Sequence, residues 1–169
     1  MIQMYSIRAV SPEELTLLPA VERAAAQLFR QSPYPELADA ALAAESVDPT
    51  RDRVWAVVED ERPVAFAIMR THVDALHIQE IDVHPGHARK GLGGMLIREM
   101  ARIAKAEKKE WLTLTTMSDI PWNGPYYARL GFNEVSRNDA GPALRAILVE
   151  EEKAGIPMAH RICMRMSLA

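Results

Sequence analysis

One segment limits the fold more than any other: Glu80-Ile81-Asp82-Val83-His84-Pro85-Gly86-His87-Ala88-Arg89-Lys90-Gly91-Leu92-Gly93-Gly94-Met95-Leu96. It reads as a strand, a glycine-rich turn and a helix start. Ile81 and Val83 face one way while Glu80 and Asp82 face the other, the two-residue period of a strand. His84-Pro85-Gly86 breaks that strand. From Gly91 to about Lys108 the apolar residues Leu92, Leu96, Met100 and Ile103 recur at helical spacing, with Arg98, Arg102 and Lys105 turned to water. The first backbone N–H groups of a helix have no partner within it, and the helix dipole favours negative charge there. Glycines let a backbone approach an anion with no Cβ in the way. Arg89 and Lys90 add positive charge at the rim. The stretch Arg89, Lys90, Gly91, Leu92, Gly93, Gly94 is therefore expected to cradle a phosphate-like anion.

Two familiar glycine-rich motifs fit less well. A mononucleotide loop needs Gly-Lys followed by a hydroxyl residue, whereas here the order is Lys90-Gly91 and Leu92 follows. A dinucleotide fingerprint needs a third glycine where this chain has Leu96.

The rest of the chain frames this segment. Tyr5 to Val10 reads as a short strand, and Ser11-Pro12-Glu13-Glu14 as a capped helix start. Pro19 to Arg30 and the alanine-rich Glu36 to Ser46 are expected to be helical. Val54 to Glu59 and Val64 to Val73, joined by Asp60-Glu61-Arg62-Pro63, form a hairpin, with Leu76 to Val83 a third strand. After the main helix come a strand (Trp111 to Thr116), a short helix (Pro121 to Leu130), a strand (Gly131 to Ser136), a helix (Ala143 to Ala154) and a closing strand (His160 to Leu168). A meander followed by crossovers predicts an α/β (mixed α+β) fold: a central mixed, mostly antiparallel sheet of about six to seven strands flanked by helices on both faces.

Composition narrows the function classes. At 169 residues the chain suits one domain, here taken as 1–169. The formal net charge of −3 argues against nucleic acid as the main ligand. The single cysteine, Cys163, allows no internal disulfide and reads as a small apolar strand residue. His77, His84 and His87 fall on no single face and no thiol joins them, so no metal centre is expected. No apolar stretch reaches the roughly 20 residues that cross a bilayer, and Met1 to Val10 lacks a signal-peptide pattern. A cytoplasmic protein without membrane contact is expected.

Two motifs together resemble the GNAT superfamily of N-acetyltransferases. Val83-His84-Pro85 followed by Gly91 and Gly93 is similar to that family's coenzyme-binding turn. Tyr127-Ala128-Arg129-Leu130-Gly131-Phe132 is similar to its Tyr and Gly-Phe pair. The match runs from about Val54 to Val135. Where relatives carry Arg or Gln in the turn this chain has Ala88, with Arg89 displaced by one residue, so backbone amides carry more of the grip. The resemblance implies an acetyl-CoA-dependent N-acetyltransferase whose cosubstrate is held at Arg89 to Gly94. It also implies that the pantetheine arm pairs with the backbone of Ile81, Asp82 and Val83, and it makes Asn123 a further coenzyme contact, although Asn123 lies four residues before Tyr127 rather than about seven. It implies Glu80 as general base, with Asp82 or a water as the other candidate, and Tyr127 as the acid that protonates the departing thiolate. The acceptor is a primary amine of a small molecule or peptide that neither the residues nor the resemblance names. The rival reading is a non-catalytic acyl-CoA-binding module on the same fold. A homodimer is compatible with the closing strand and the Ala143 to Ala154 helix.

Overall fold

The computed structural model describes residues 4 to 169. The chain forms two compact units. The first takes the residues up to Thr71 together with Ile78–Arg102, and the second takes His72–His77 and Ile103–Ala169.

In the first unit, strand β1 (Ser6–Ala9) leads into a 3-10 turn (Pro12–Leu17) and helix α1 (Leu18–Ala26). The capping signal at Ser11 is real: the Glu14 carboxylate accepts the Ser11 N–H at 2.9 Å. The helix expected over 19–30 ends at Ala26 and continues as a 3-10 turn, Gln27–Gln31. The helix expected over 36–46 does not form. Two 3-10 turns, Pro35–Asp39 and Ala43–Ser46, stand in its place, with Ala40 and Leu42 extended. The reason lies outside the segment. The N–H groups of Ala43 and Ala44 donate to the carboxylate of Glu22 on α1, at 2.7 and 2.8 Å. Hydrogen bonds to a charged group are worth roughly 1.5–3 kcal/mol each. The propensity advantage of alanine is below about 1 kcal/mol per residue and is outweighed.

Strands β2 (Asp52–Glu59) and β3 (Arg62–Thr71) form the expected antiparallel hairpin, which turns through Asp60 and Glu61. Both turn residues have positive φ, +48° and +62°, the geometry whose twist matches the strands it joins. β1 pairs antiparallel with β2. Leu18 and Val21 of α1 pack on Val54, Ala56 and Val58 of β2 and on Phe66 and Ile68 of β3, which makes this unit's core. Strand β4 (Ala75–Val83) and helix α2 (Leu92–Ala106) run through both units. The stripe Leu92, Leu96, Met100 and Ile103 is buried, as its spacing predicts.

The second unit holds β5 (Trp111–Met117), α3 (Gly124–Arg129), β6 (Asn133–Val135), α4 (Gly141–Lys153) and β7 (Arg161–Ser167). β7 pairs antiparallel with both β5 and β6. Leu144 and Leu148 of α4 pack on Val135 and Cys163. Cys163 is buried as expected, and burial pushes its thiol pKa up. Arg161 forks onto Glu151 at 2.7 and 2.9 Å, tying the end of α4 to β7. In hydrogen-bonding order the strands read β1-β2-β3-β4-β5-β7-β6, a seven-stranded sheet flanked by helices in a mixed α/β fold. Among the described residues no helix is long and apolar enough to cross a membrane.

Candidate functional site

The turn after β4 contains two left-handed backbone positions just before a helix start. Pro85–His87 forms a single 3-10 turn, with the His84 side chain accepting the Gly86 N–H. The backbone then passes through Arg89 at φ +63° and Gly91 at φ +77° before α2 begins at Leu92. Positive φ at alternate positions turns successive N–H groups toward one concavity. A Cβ on Gly91 would meet nothing within 4 Å, so that position requires glycine for its dihedral and not for space. Ala88, Arg89 and Lys90 are exposed, while Leu92, Gly93 and Gly94 are buried.

Tyr5 and His87 support this turn, and the sequence alone did not reveal them. The Tyr5 hydroxyl and His87 Nδ1 lie 2.9 Å apart, and His87 Nδ1 is 3.7 Å from Glu59. The Lys90 ammonium sits 5.8 Å from the centre of the Tyr5 ring, within cation–π reach. The three histidines do not converge: His77 is buried against the Thr113 hydroxyl at 2.9 Å, whereas His84 and His87 belong to the turn.

Glu80 and Asp82 lie on one face of β4, as their alternation predicts, and a third carboxylate joins them. Ligand oxygens of Glu22, Glu80 and Asp82 all lie within 4.8 Å of one another. These are the described residues that could hold a cation. Glu22 is buried, whereas Glu80 and Asp82 are half-buried. Burial raises the Asp82 carboxyl well above the usual range, and the negative charges of Glu80 and Glu22 add to the effect. Burial also raises Glu22, against the opposing pull of the Ala44 and Ala43 amides. The sequence carried a signal for Glu22 that spacing alone did not expose: Leu18, Val21, Glu22 and Ala25 share the buried face of α1, and only one of the four is charged.

In the second unit Tyr127 is buried within α3, its ring 5.3 Å from Tyr126 and 5.9 Å from Phe132. The end of that helix explains the Tyr and Gly-Phe spacing. Phe132 N–H donates to the Tyr127 carbonyl at 3.1 Å and Gly131 N–H to the Ala128 carbonyl at 3.1 Å, with Gly131 at φ +105°. That is a Schellman stop, and its usual apolar contact is the Tyr127–Phe132 ring pair. Asn123 is the residue before α3. Its side chain makes no cap, but its carbonyl accepts the Tyr127 N–H at 3.0 Å. Trp122, just before this helix, is 36% exposed.

Residues 18–132 match the model of the acetyltransferase (GNAT) family. The chain belongs to that family, whose members transfer an acyl group from acyl-CoA. Solved structures share the fold. The ribosomal-protein-S18-alanine N-acetyltransferase of Escherichia coli is 19% identical with a TM-score of 0.68, covering 98% of this chain and 95% of that one. The PaiA N-acetyltransferase of Thermoplasma acidophilum, in complex with coenzyme A, is 14% identical with a TM-score of 0.71, covering 97% and 99%. The N-acetylglutamate synthase of Neisseria gonorrhoeae, complexed with coenzyme A and L-arginine, is 15% identical with a TM-score of 0.66, and the match covers 98% of this chain and 34% of that one.

Proposed function

We propose that this chain is a cytoplasmic, single-domain N-acetyltransferase that moves the acetyl group of acetyl-CoA directly to a primary amine. The observation that carries the reading is the continuous segment from the acidic face of β4 to the positive-φ turn at Arg89 and Gly91 and the start of α2. The amides and positive charge of Arg89 to Gly94 bind the coenzyme's pyrophosphate, with Lys90 steadied over Tyr5. The backbone of Ile81, Asp82 and Val83 receives the pantetheine arm as an added strand, and a main-chain amide there polarises the thioester carbonyl. Asn123 is a further coenzyme contact.

A primary alkylamine has a pKa of about 10.4 and reaches the site as an ammonium. Glu80, with Asp82 beside it, takes one proton from it. The freed nitrogen attacks the thioester carbonyl carbon, the C–N bond forms, and the C–S bond breaks with its electron pair leaving on sulfur. The Tyr127 hydroxyl protonates that thiolate, and the second proton shed by the new amide nitrogen restores the Tyr127 phenol. Thermal unfolding with and without coenzyme tests the binding step: CoA at 100 times its Kd adds about 2.7 kcal/mol of stability. Thiol release from acetyl-CoA over an amine panel tests the transfer, and longer acyl-CoAs test the chain length. No thermal shift with millimolar CoA or acetyl-CoA would overturn the reading.

A further inference from the structure

The carboxylates of Glu22, Glu80 and Asp82 come from two separate elements, α1 and β4. Glu22 is fixed in place, since its two oxygens accept the Ala43 and Ala44 amides. Asp82 supplies a second and independent observation. Its Oδ2 is sealed from solvent and has no hydrogen-bond partner, while the rest of the carboxyl group shares a side-chain hydrogen bond with Glu80. A buried carboxylate oxygen without a donor is costly, and a donor that arrives with a positive charge removes that cost.

Resting on the acetyltransferase reading above, we propose that Glu22, Glu80 and Asp82 form a three-carboxylate cup that selects acceptors by their primary ammonium group, with Glu22 the specificity-determining member. The geometry matches three donors on one nitrogen. Three oxygens within 4.8 Å of one another always leave a point close to all of them, and at that point a nitrogen lies within about 2.8 Å of each, the length of a charge-assisted N–H···O bond. Calcium takes about six to eight oxygen ligands, so waters or further oxygens would have to complete its shell here. A primary ammonium carries three N–H donors, one for each carboxylate. N-methylation removes one donor and adds bulk. The negative charge of the cup also raises the affinity of its own members for the proton that the amine must lose.

The test uses the full chain saturated with CoA, probed with n-butylamine, 1,4-diaminobutane and lysine amide, and with their N-methyl and N,N-dimethyl forms. At least one primary ammonium should raise the unfolding midpoint of the CoA complex, and each added methyl should weaken binding about tenfold, the loss of one charge-assisted hydrogen bond. Glu22→Gln should abolish that shift while keeping the shift given by CoA itself, which also reports that the variant folds. A normal CoA shift with no response to any primary ammonium, or with equal response to the dimethylated forms, overturns the cup and leaves the acetyltransferase reading standing. Micromolar binding of MnCl2 or CaCl2 that Glu22→Gln removes also overturns it, in favour of a metal site. No CoA shift in the wild type overturns both readings.

Discussion

Tyr127 and Phe132 are joined twice, by a 3.1 Å backbone hydrogen bond that closes α3 and by rings 5.9 Å apart. One side chain therefore carries a structural contact through its ring and, in the proposed mechanism, a chemical role through its hydroxyl. Tyr127→Phe separates the two. The ring pair stays, while kcat should fall by about 10²–10⁴, the range for loss of a general acid. CoA titration on the same variant should give an unchanged Kd.

Gly124 opens α3 against the end of β5. A Cβ there would meet the Met117 carbonyl at 3.1 Å and the Ser118 Cα at 3.2 Å, both backbone atoms that yield only if the strand end moves. Gly124→Ala should destabilise the protein by about 1–3 kcal/mol, the usual cost of overpacking. Denaturant unfolding measures the loss, and a kcat reduced more than KM is changed would show that Tyr127 has moved with its helix.

Gly91 and Arg89 test the cradle from two sides. At Gly91 there is room for a methyl group but a left-handed backbone, so Gly91→Ala should cost about 1–2 kcal/mol in strain or force the turn to open. CoA affinity should fall about tenfold or more. Arg89→Ala keeps the amides in place, and isothermal titration should show a smaller loss than Gly91→Ala. A larger loss for Arg89→Ala would transfer the grip from the backbone to that side chain.

Asp82 gives the protein a pH dependence whose sign is fixed. Its folded pKa is raised, so the native state binds more protons than the unfolded chain. Its contribution favours folding at low pH and declines as pH rises from the unfolded carboxylate value of about 4 through the raised folded value. Asp82→Asn should remove that decline, and the variant should be more stable than wild type at neutral pH. Unfolding midpoints recorded in steps from pH 4 to pH 8 would show the two curves separating as pH rises.

Glu14 works in the opposite direction. The guanidinium of Arg8 at 2.6 and 2.7 Å and the Ser11 amide hold its pKa down to about 2. Its stabilising effect is therefore complete above the unfolded carboxylate value and is lost as pH falls toward about 2. Glu14→Gln should lower the unfolding midpoint at pH 6 and leave it nearly unchanged at pH 2. Raising the salt concentration should shrink the difference at pH 6, because the Arg8–Glu14 contact is only partly shielded.

The segment from Glu80 to Leu96 was legible in the sequence because strand alternation, a proline break, glycine placement and helical periodicity are all local signals that agree. The hairpin at Asp60 and Glu61 was legible for the same reason. The segment 36–46 was not, because its amides answer to Glu22, more than twenty positions earlier in the chain. Local propensity holds no record of such a partner. Glu22 itself belongs to no motif, and a lone glutamate on a helix is ordinary until the apolar residues on the same face are counted. The support given by Tyr5 to His87 spans 82 positions and is likewise a product of the folded chain.

The linking stretch between α1 and β2 has a further consequence. It is stitched to itself and to α1 through side chains: Glu22 to Ala43 and Ala44, and Arg30 to Asp39 at 2.7 Å. No strand ladder runs through it. Exchanges at its exposed positions can therefore be absorbed without shifting the register of β2 on β3, while Tyr34, Ala38 and Leu42 are held in the core. In evolutionary terms this stretch is an exchangeable cassette, retained by side-chain contacts and a few buried residues and not by a strand ladder. A lineage could acquire new acceptors by rewriting the cassette while the machinery built on β4 and α2 stayed the same.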